Sequence, residues 1–284
     1  MPIELTFLGT GTSAGIPMIG CDCAVCTSTD PRDRRDRASV VVRYPRGRRP
    51  DLPGMPEHAT VLIDASPDIR LQSVRQGLKW VDALLLTHAH ADHVLGLDDL
   101  RRFNAVMGGR ALEFYAEPGV IRSLEQMFHY IFAPHRNVNK TFIAQLIPLP
   151  TGPGQTIDIG PATWWPIRLM HGRLPTLGFR VDWMGRSIAY CTDCSTVPPE
   201  SIEQLQGLDV LVLDGLRERH HPTHLTLDQA CEYAQQIGAK QTYLTHFAHD
   251  HAHAALEARL PENVRPAYDG LTVSLNATQS EHEA

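Results

Sequence analysis

Residues 87–97, THAHADHVLGL, place three histidines and one aspartate within six positions, directly after the apolar run ALLL. An ordinary surface loop does not gather three imidazoles and a carboxylate, because protonating one imidazole costs more beside the others unless a cation holds them. A short apolar run of this kind is typical of a buried strand. We therefore predict a metal site at the end of a buried strand, with the ligands His88, His90, Asp92 and His93.

The composition is that of an ordinary water-soluble enzyme. The chain has 284 residues, of which 43% are hydrophobic and 20% charged, enough apolar material for a sizeable core. The net charge of −6 offers no broad positive field for a long nucleic acid. The start lacks a signal-peptide pattern, and no run of 18 apolar residues occurs. We expect a cytoplasmic protein without membrane contact, whose six cysteines bind metal or lie buried rather than form disulfides.

Alternation and apolar runs predict many strands and few helices. The predicted strands are 3–8, 39–44, 60–64, 83–86, near 157, 163–170, 178–183, 187–191, 210–213, 241–246 and 271–275. The predicted helices are 68–76 and 227–237. This pattern favours an α/β fold of two mixed sheets with helices outside. We expect one domain over residues 1–276, with a Pro/Arg-rich connection at 45–58, a capping insertion at 101–145 and a flexible tail at 277–284.

The motif H-x-H-x-D-H after a hydrophobic strand resembles the signature of the metallo-β-lactamase superfamily. That resemblance implies an αββα sandwich and further ligands in a fixed order, which His171, Asp193 and His246 match in RLMHGRLPTLGFRV, SIAYCTDCS and QTYLTHFAHD. It assigns a first metal ion to His88, His90 and His171. It assigns a second to Asp92, His93 and His246, with Asp193 bridging both.

The stretch DGLRERHHPTHLTLDQA contains a candidate proton donor, His224. It resembles the histidine that the phosphodiesterase branch of the superfamily places beside its metals, where it protonates the leaving oxygen. The resemblance makes His224 and Asp92 the catalytic residues. The alternative is that His224 only caps the helix that follows. His220 and His221 are interpreted as surface residues.

The stretch GCDCAVC holds three cysteines, Cys21, Cys23 and Cys26, without a nearby fourth ligand. With the preceding glycine turn, it resembles the phosphoribosyl cyclic phosphate phosphodiesterase (PhnP) family, in which three cysteines and one histidine form a structural zinc site. The spacing of that family points to His249 in HFAH as the fourth ligand, with Cys194 and His251 as rivals. A closed Cys₃His set stabilises and does not catalyse.

Together these resemblances imply a dinuclear hydrolase with two catalytic zinc or manganese ions and one structural zinc. Its substrate would be a small cyclic or linear phosphodiester, attacked by a hydroxide that bridges the two ions. Two alternatives stay open: a thioester or lactone hydrolase on the same scaffold, and a non-hydrolytic protein like the cofactor-biosynthesis protein PqqB. We expect a small-molecule substrate and no long nucleic acid, since no basic arm for tRNA is present. The resemblance also implies a homodimer.

Overall fold

The computed structural model describes residues 1–47, 52–133, 135 and 137–278. The strands are β1 (Ile3–Gly9), β2 (Ser39–Pro45), β3 (His58–Ile63), β4 (Ala83–Leu85), β5 (Leu112–Ala116), β6 (Leu146–Pro150), β7 (Ile157–Ile159), β8 (Ala162–His171), β9 (Leu174–Trp183), β10 (Arg186–Cys191), β11 (Val210–Asp214), β12 (Gln241–Thr245), β13 (Val264–Pro266) and β14 (Thr272–Leu275). The helices are α1 (Ile69–Arg75), α2 (Ala91–Val94), α3 (Arg101–Val106), α4 (Pro118–Met127), α5 (His129–Phe132), α6 (Pro199–Gln204), α7 (Leu227–Ile237) and α8 (His253–Arg259). Short 3₁₀ turns cover Pro31–Asp33 and Leu95–Leu100. None of these helices has the length and apolar character that crossing a membrane requires.

The strands form two seven-stranded sheets that pack face to face. Their orders are β14-β1-β2-β3-β4-β5-β6 and β13-β12-β11-β10-β9-β8-β7. Both sheets are mixed, with parallel pairing from β3 to β6 and from β10 to β13. Alternate residues such as Leu5 and Val61 of the first sheet and Trp164 and Phe179 of the second meet in one buried core. Two further cores lie on the outer faces, where helices cover the sheets. The predicted αββα sandwich is confirmed.

Part of the segment 101–145, which the sequence predicted to be a capping insertion, belongs to the first sheet. Its strand β5 lies inside the first sheet and pairs in parallel with both β4 and β6. The alternate residues Leu112, Phe114 and Ala116 are buried, which is the period of a sheet strand. Residues 48–51 of the expected connection and residues 279–284 of the expected tail lie outside the described residues.

The glycine-rich turn after β1 allows a close backbone approach. A Cβ at Gly9 would lie 2.1 Å from the carbonyl oxygen of Arg37, and one at Gly11 would lie 2.6 Å from that of Arg35. Only glycine fits at such distances. Gly11 also forms a bridge with Phe247, the residue after His246, so the turn joins the end of β1 to the end of β12.

Candidate metal centre

All seven candidate metal ligands lie at or just after the carboxyl ends of strands. His171 is the last residue of β8, Asp193 follows β10, and His246 follows β12. The loop and short helix after β4 carry the other four, His88, His90, Asp92 and His93. Asp193 and His246 have positive φ angles of 51° and 63°. The left-handed conformation is costly for a residue other than glycine, and strain of this kind clusters at functional sites.

The side chains converge in two groups, and Asp193 belongs to both. The first group is His88, His90, His171 and Asp193, the second is Asp92, His93, Asp193 and His246, and ligand atoms within each group lie within 4.8 Å of one another. Oδ2 of Asp193 lies 3.7 Å from Nε2 of His88. Its Oδ1 lies 3.3 Å from Nε2 of His93 and 3.2 Å from Nε2 of His246. The structure therefore brings the seven side chains together in two groups that share Asp193.

The imidazole nitrogens of this centre fit metal coordination. Four buried nitrogens have no hydrogen-bond partner among the described residues, namely Nε2 of His88 and His93 and both ring nitrogens of His246. Buried polar atoms rarely stay unpartnered unless a ligand meets them. Nδ1 of His93 lies 2.7 Å from Oδ2 of Asp64, and Nδ1 of His171 lies 2.8 Å from the carbonyl oxygen of Thr223. Hydrogen bonds that hold Nδ1–H leave the Nε2 lone pair for a metal. The donor set fits two divalent ions.

The electrostatic environment also favours cations. Burial, together with neighbouring His93, lowers the pKa of His88 well below its ordinary value, which favours the neutral imidazole that a metal ion needs. Burial opposes a charge on His93 too, but Asp193 and Asp64 outweigh it and raise the pKa of His93 well above its ordinary value. Carboxylates that can protonate a buried imidazole create a negative potential, which divalent cations would neutralise.

His224 lies beside the metal ligands and is held by Asp214. Its Nδ1 is 2.7 Å from Oδ2 of Asp214, and its ring stacks on that of His246 with centroids 4.7 Å apart. Burial opposes a charge on His224, but Asp214 outweighs it and raises the pKa of His224 above its ordinary value. The side-chain cap of α7 is Thr226, so the alternative role of His224 as a helix cap is wrong. With Nδ1 held, Nε2 is the nitrogen available for proton transfer.

A third group of ligands brings the N-terminal cysteines to the loop after β12. Nδ1 of His249 lies 3.3, 3.4 and 3.5 Å from the sulfurs of Cys21, Cys23 and Cys26 respectively. Tetrahedral zinc ligands at ordinary bond lengths lie roughly 3.5 Å from one another. The backbone N–H of Cys26 lowers the pKa of the Cys23 thiol to about 6, and burial raises that of Cys26 to about 11. The four side chains therefore match a closed Cys₃His site.

The two rival residues lie elsewhere. The Cys194 thiol is fully buried, 3.8 Å from the carbonyl oxygen of Cys191. His251 faces Glu218, with Nε2 and Oε1 3.4 Å apart.

Sequence reasoning missed three residues that support these groups. Asp64 and Asp214 each end or follow a predicted strand, in TVLID and VLVLD, and that position was a usable signal. Arg35 had no such signal, because it stands in a charged loop. The structure buries it and directs its guanidinium to the carbonyl oxygens of Ala248 and His251, at 2.7 and 2.8 Å. Arg35 thus holds the backbone on both sides of His249.

Comparison with known families agrees with this geometry. The profile of the β-lactamase superfamily domain matches residues 59–247, which contain all seven ligands of the paired groups. The chain belongs to the β-lactamase superfamily. A crystal structure described as a new diphosphatase from the PhnP family is 41% identical, with a TM-score of 0.84, and the match covers 97% of this chain and 98% of that one. The superfamily and this neighbour support a metal-dependent hydrolase.

Two other relatives show how far the likeness extends. A Porphyromonas gingivalis protein named Octanoyltransferase is 39% identical over 269 residues, which are 93% of this chain. This chain spans only about half the length of that relative. Zinc-bound PqqB from Methylobacterium extorquens is 21% identical with a TM-score of 0.73, over 96% of this chain and all of that one, and so shows the fold alone.

Proposed function

We propose that this chain is a dinuclear metal-dependent phosphodiesterase that hydrolyses a small cyclic or linear phosphodiester, or the phosphoanhydride bond of a diphosphate with an organic group at each end. The observation that carries the proposal is the position of His224, held by Asp214 and stacked on His246 at the edge of the ligand groups. The similarity to a PhnP-family diphosphatase supports hydrolysis at a phosphorus atom.

A phosphodiester needs such a proton donor because its leaving oxygen departs poorly as an alkoxide. The paired ligand groups would hold two divalent ions, which supply a water of lowered pKa and positive charge at the phosphoryl oxygens. Nε2 of His224 gives its proton to the leaving oxygen as the phosphorus–oxygen bond breaks, and Asp214 holds the ring in place. General-acid catalysis of this kind contributes about 10²–10⁴-fold.

The other part of the proposal concerns cofactors. We propose two catalytic zinc or manganese ions, because histidine and carboxylate ligands accept both metals. A structural zinc would bind Cys21, Cys23, Cys26 and His249 and connect the N-terminal loop to the chain that follows His246.

The test is a substrate panel with zinc or manganese loaded. Bis-(p-nitrophenyl) phosphate, a 2′,3′-cyclic nucleotide and ADP-ribose represent linear, cyclic and diphosphate substrates. We expect turnover of at least one, and a loss of about 10²-fold or more in His224→Ala for substrates with a poor leaving group. The matched control is His221→Ala, whose ring lies 5.1 Å from that of His224 and is hydrogen-bonded to Thr223. It should keep most of the activity.

An octanoyl thioester belongs in the same panel, since a relative carries the name Octanoyltransferase. A thiolate leaves without protonation, so thioester hydrolysis would survive His224→Ala. Thioester turnover without any phosphodiester turnover would overturn the proposal and favour a thioesterase.

A further inference from the structure

A cavity of about 520 Å³ lies on the outer face of the first sheet, beside the end of α1. Glu4, Arg43 and Thr60 line it and are register partners across β1, β2 and β3. Directly paired residues on neighbouring strands point to the same face of a sheet. These three side chains therefore form one polar row along the cavity.

Arg43 brings a positive charge to this row. Its side chain is partly buried, and the ion pairs formed among the described residues do not include it. Burial lowers the pKa of Arg43, and nearby Glu4 only partly opposes that effect. Arg46 on the same chain segment differs, since it bonds both oxygens of Asp82 at 2.8 and 2.9 Å. Of Arg43 and Arg46, Arg43 is therefore the arginine whose guanidinium is available to a ligand.

Further basic groups line the same cavity. The ammonium group of Lys79 joins Arg43, against the single carboxylate of Glu4, and His58 adds an imidazole to the wall. Burial lowers the pKa of His58, and the charges of Arg43 and Arg46 lower it further. A charge that repels a proton from His58 attracts an anion to the same space. The cavity is electropositive although the whole chain carries a net charge of −6.

Thr60 supplies a polar atom without a partner. The residue is 1% exposed, and its Oγ1 has no hydrogen-bond partner among the described residues. Its backbone N–H is already used by Oδ2 of Asp82 at 2.8 Å, so only the hydroxyl is unsatisfied. A buried polar atom at a cavity wall is normally satisfied by water or a ligand. The remaining wall is largely apolar and includes Tyr44, Pro45, Pro56, Leu78 and Trp80.

We propose that this cavity is a second ligand site, which binds a small organic oxyanion with an apolar body. The anionic group, a phosphate, phosphonate or carboxylate, meets Arg43 and the Thr60 hydroxyl, and the apolar body lies along the Pro56 and Trp80 wall. Thr60 stands four residues before Asp64, so the site is roughly 13 Å along β3 from the residue that supports His93. The inference does not depend on the proposed function.

The experiment is calorimetric titration of the metal-loaded protein with benzylphosphonate, an anion with an aromatic body that is not hydrolysed. We expect Arg43→Met to raise the dissociation constant of benzylphosphonate at the cavity about tenfold or more, because a charge-assisted hydrogen bond is lost. Thr60→Val, which keeps the shape of the side chain, should weaken benzylphosphonate binding about threefold or more. The matched control is Thr242→Val, since Thr242 is also fully buried with an unpartnered hydroxyl but lies in β12, away from the cavity.

Benzylphosphonate binding that persists in Asp193→Asn would separate this site from the metal centre. Binding that is abolished in Asp193→Asn while Thr60→Val matches the wild type would overturn the proposal, because all of it would then belong to the metals. Equal effects of Thr60→Val and Thr242→Val would overturn it as well. Inorganic phosphate as a second probe measures the contribution of the apolar body, and affinity equal to that of benzylphosphonate would contradict the assigned ligand class.

Discussion

Oδ2 of Asp64 lies 2.7 Å from Nδ1 of His93, and neither side chain has exposed surface. The same carboxylate accepts the backbone N–H and the hydroxyl of Thr87, both at 2.9 Å. Asp64 thereby links the end of β3 to the metal-binding loop after β4. It fixes the tautomer of His93 and directs Nε2 toward Asp92 and Asp193.

Asp64→Asn should weaken binding of the second metal ion about 10–100-fold, because an outer carboxylate orients its ligand and strengthens it. Asparagine suits the test because Asp64 has φ 62°, a conformation that asparagine tolerates. Competition with a chelating dye measures the affinity. Asp158→Asn is the control, since Asp158 is exposed and bonds only the Thr163 hydroxyl. Unchanged affinity in Asp64→Asn would contradict this role.

Asp214→Asn should lower kcat about tenfold or more on a substrate with a poor leaving group, while metal content stays near the wild-type value. The amide holds the His224 ring less firmly and no longer favours its charged form. Steady-state kinetics and metal analysis on one preparation separate the two effects. A parallel loss of metal would instead assign Asp214 to the metal centre, which its distance to His246 allows.

Cys23→Ser should remove one zinc per chain and lower the melting temperature, with little direct effect on the chemistry. Zinc at about 100 times its Kd contributes about 2.7 kcal/mol. At this chain length each kcal/mol shifts the melting temperature by roughly 2–4 °C, so we expect a fall of about 5–10 °C. Metal analysis and thermal unfolding measure both changes. A Cys23→Ser protein with full metal content and unchanged melting temperature would show that the site does not exist.

Asp269 should make stability depend on pH. It accepts hydrogen bonds from the Thr10 hydroxyl and the backbone N–H of Asp36, and burial raises its pKa from 3.8 to about 7. Between those values the folded chain binds more protons than the unfolded chain, so the free energy of unfolding falls as pH rises from about 4 to about 7.

Asp269→Asn does not titrate and removes this dependence. From pH 5 to pH 8 the wild type should lose about 2–3 kcal/mol of unfolding free energy relative to the variant. Urea unfolding at both pH values, at fixed metal concentration, gives the difference. If the difference in unfolding free energy between the wild type and Asp269→Asn stays constant with pH, the pKa of Asp269 is not raised.

His88, His90, Asp92 and His93 were predictable from the chain itself, because they cluster directly after a strand that its own residues indicate. His171, Asp193 and His246 each stand alone after a strand, and the resemblance to the ligand order of the superfamily was needed to single them out. Alternation predicts the strands, and imidazoles after a strand end mark a metal site. The supporting carboxylates were harder to find, since a single aspartate after a strand resembles any polar loop residue. Only its distance to His93 or His224 distinguishes Asp64 or Asp214 from such a residue.

Local patterns in the chain were enough for the αββα layers and for the H-x-H-x-D-H metal loop, because strand period and ligand chemistry depend on neighbours in sequence. The folded structure was needed to choose His249 over its rivals, 223 positions after Cys26 yet 3.5 Å from its sulfur. It was also needed to place β5 inside the sheet and to align Arg43 with Thr60. Such pairings depend on sheet register and on the path of long connections, which no short stretch of sequence encodes.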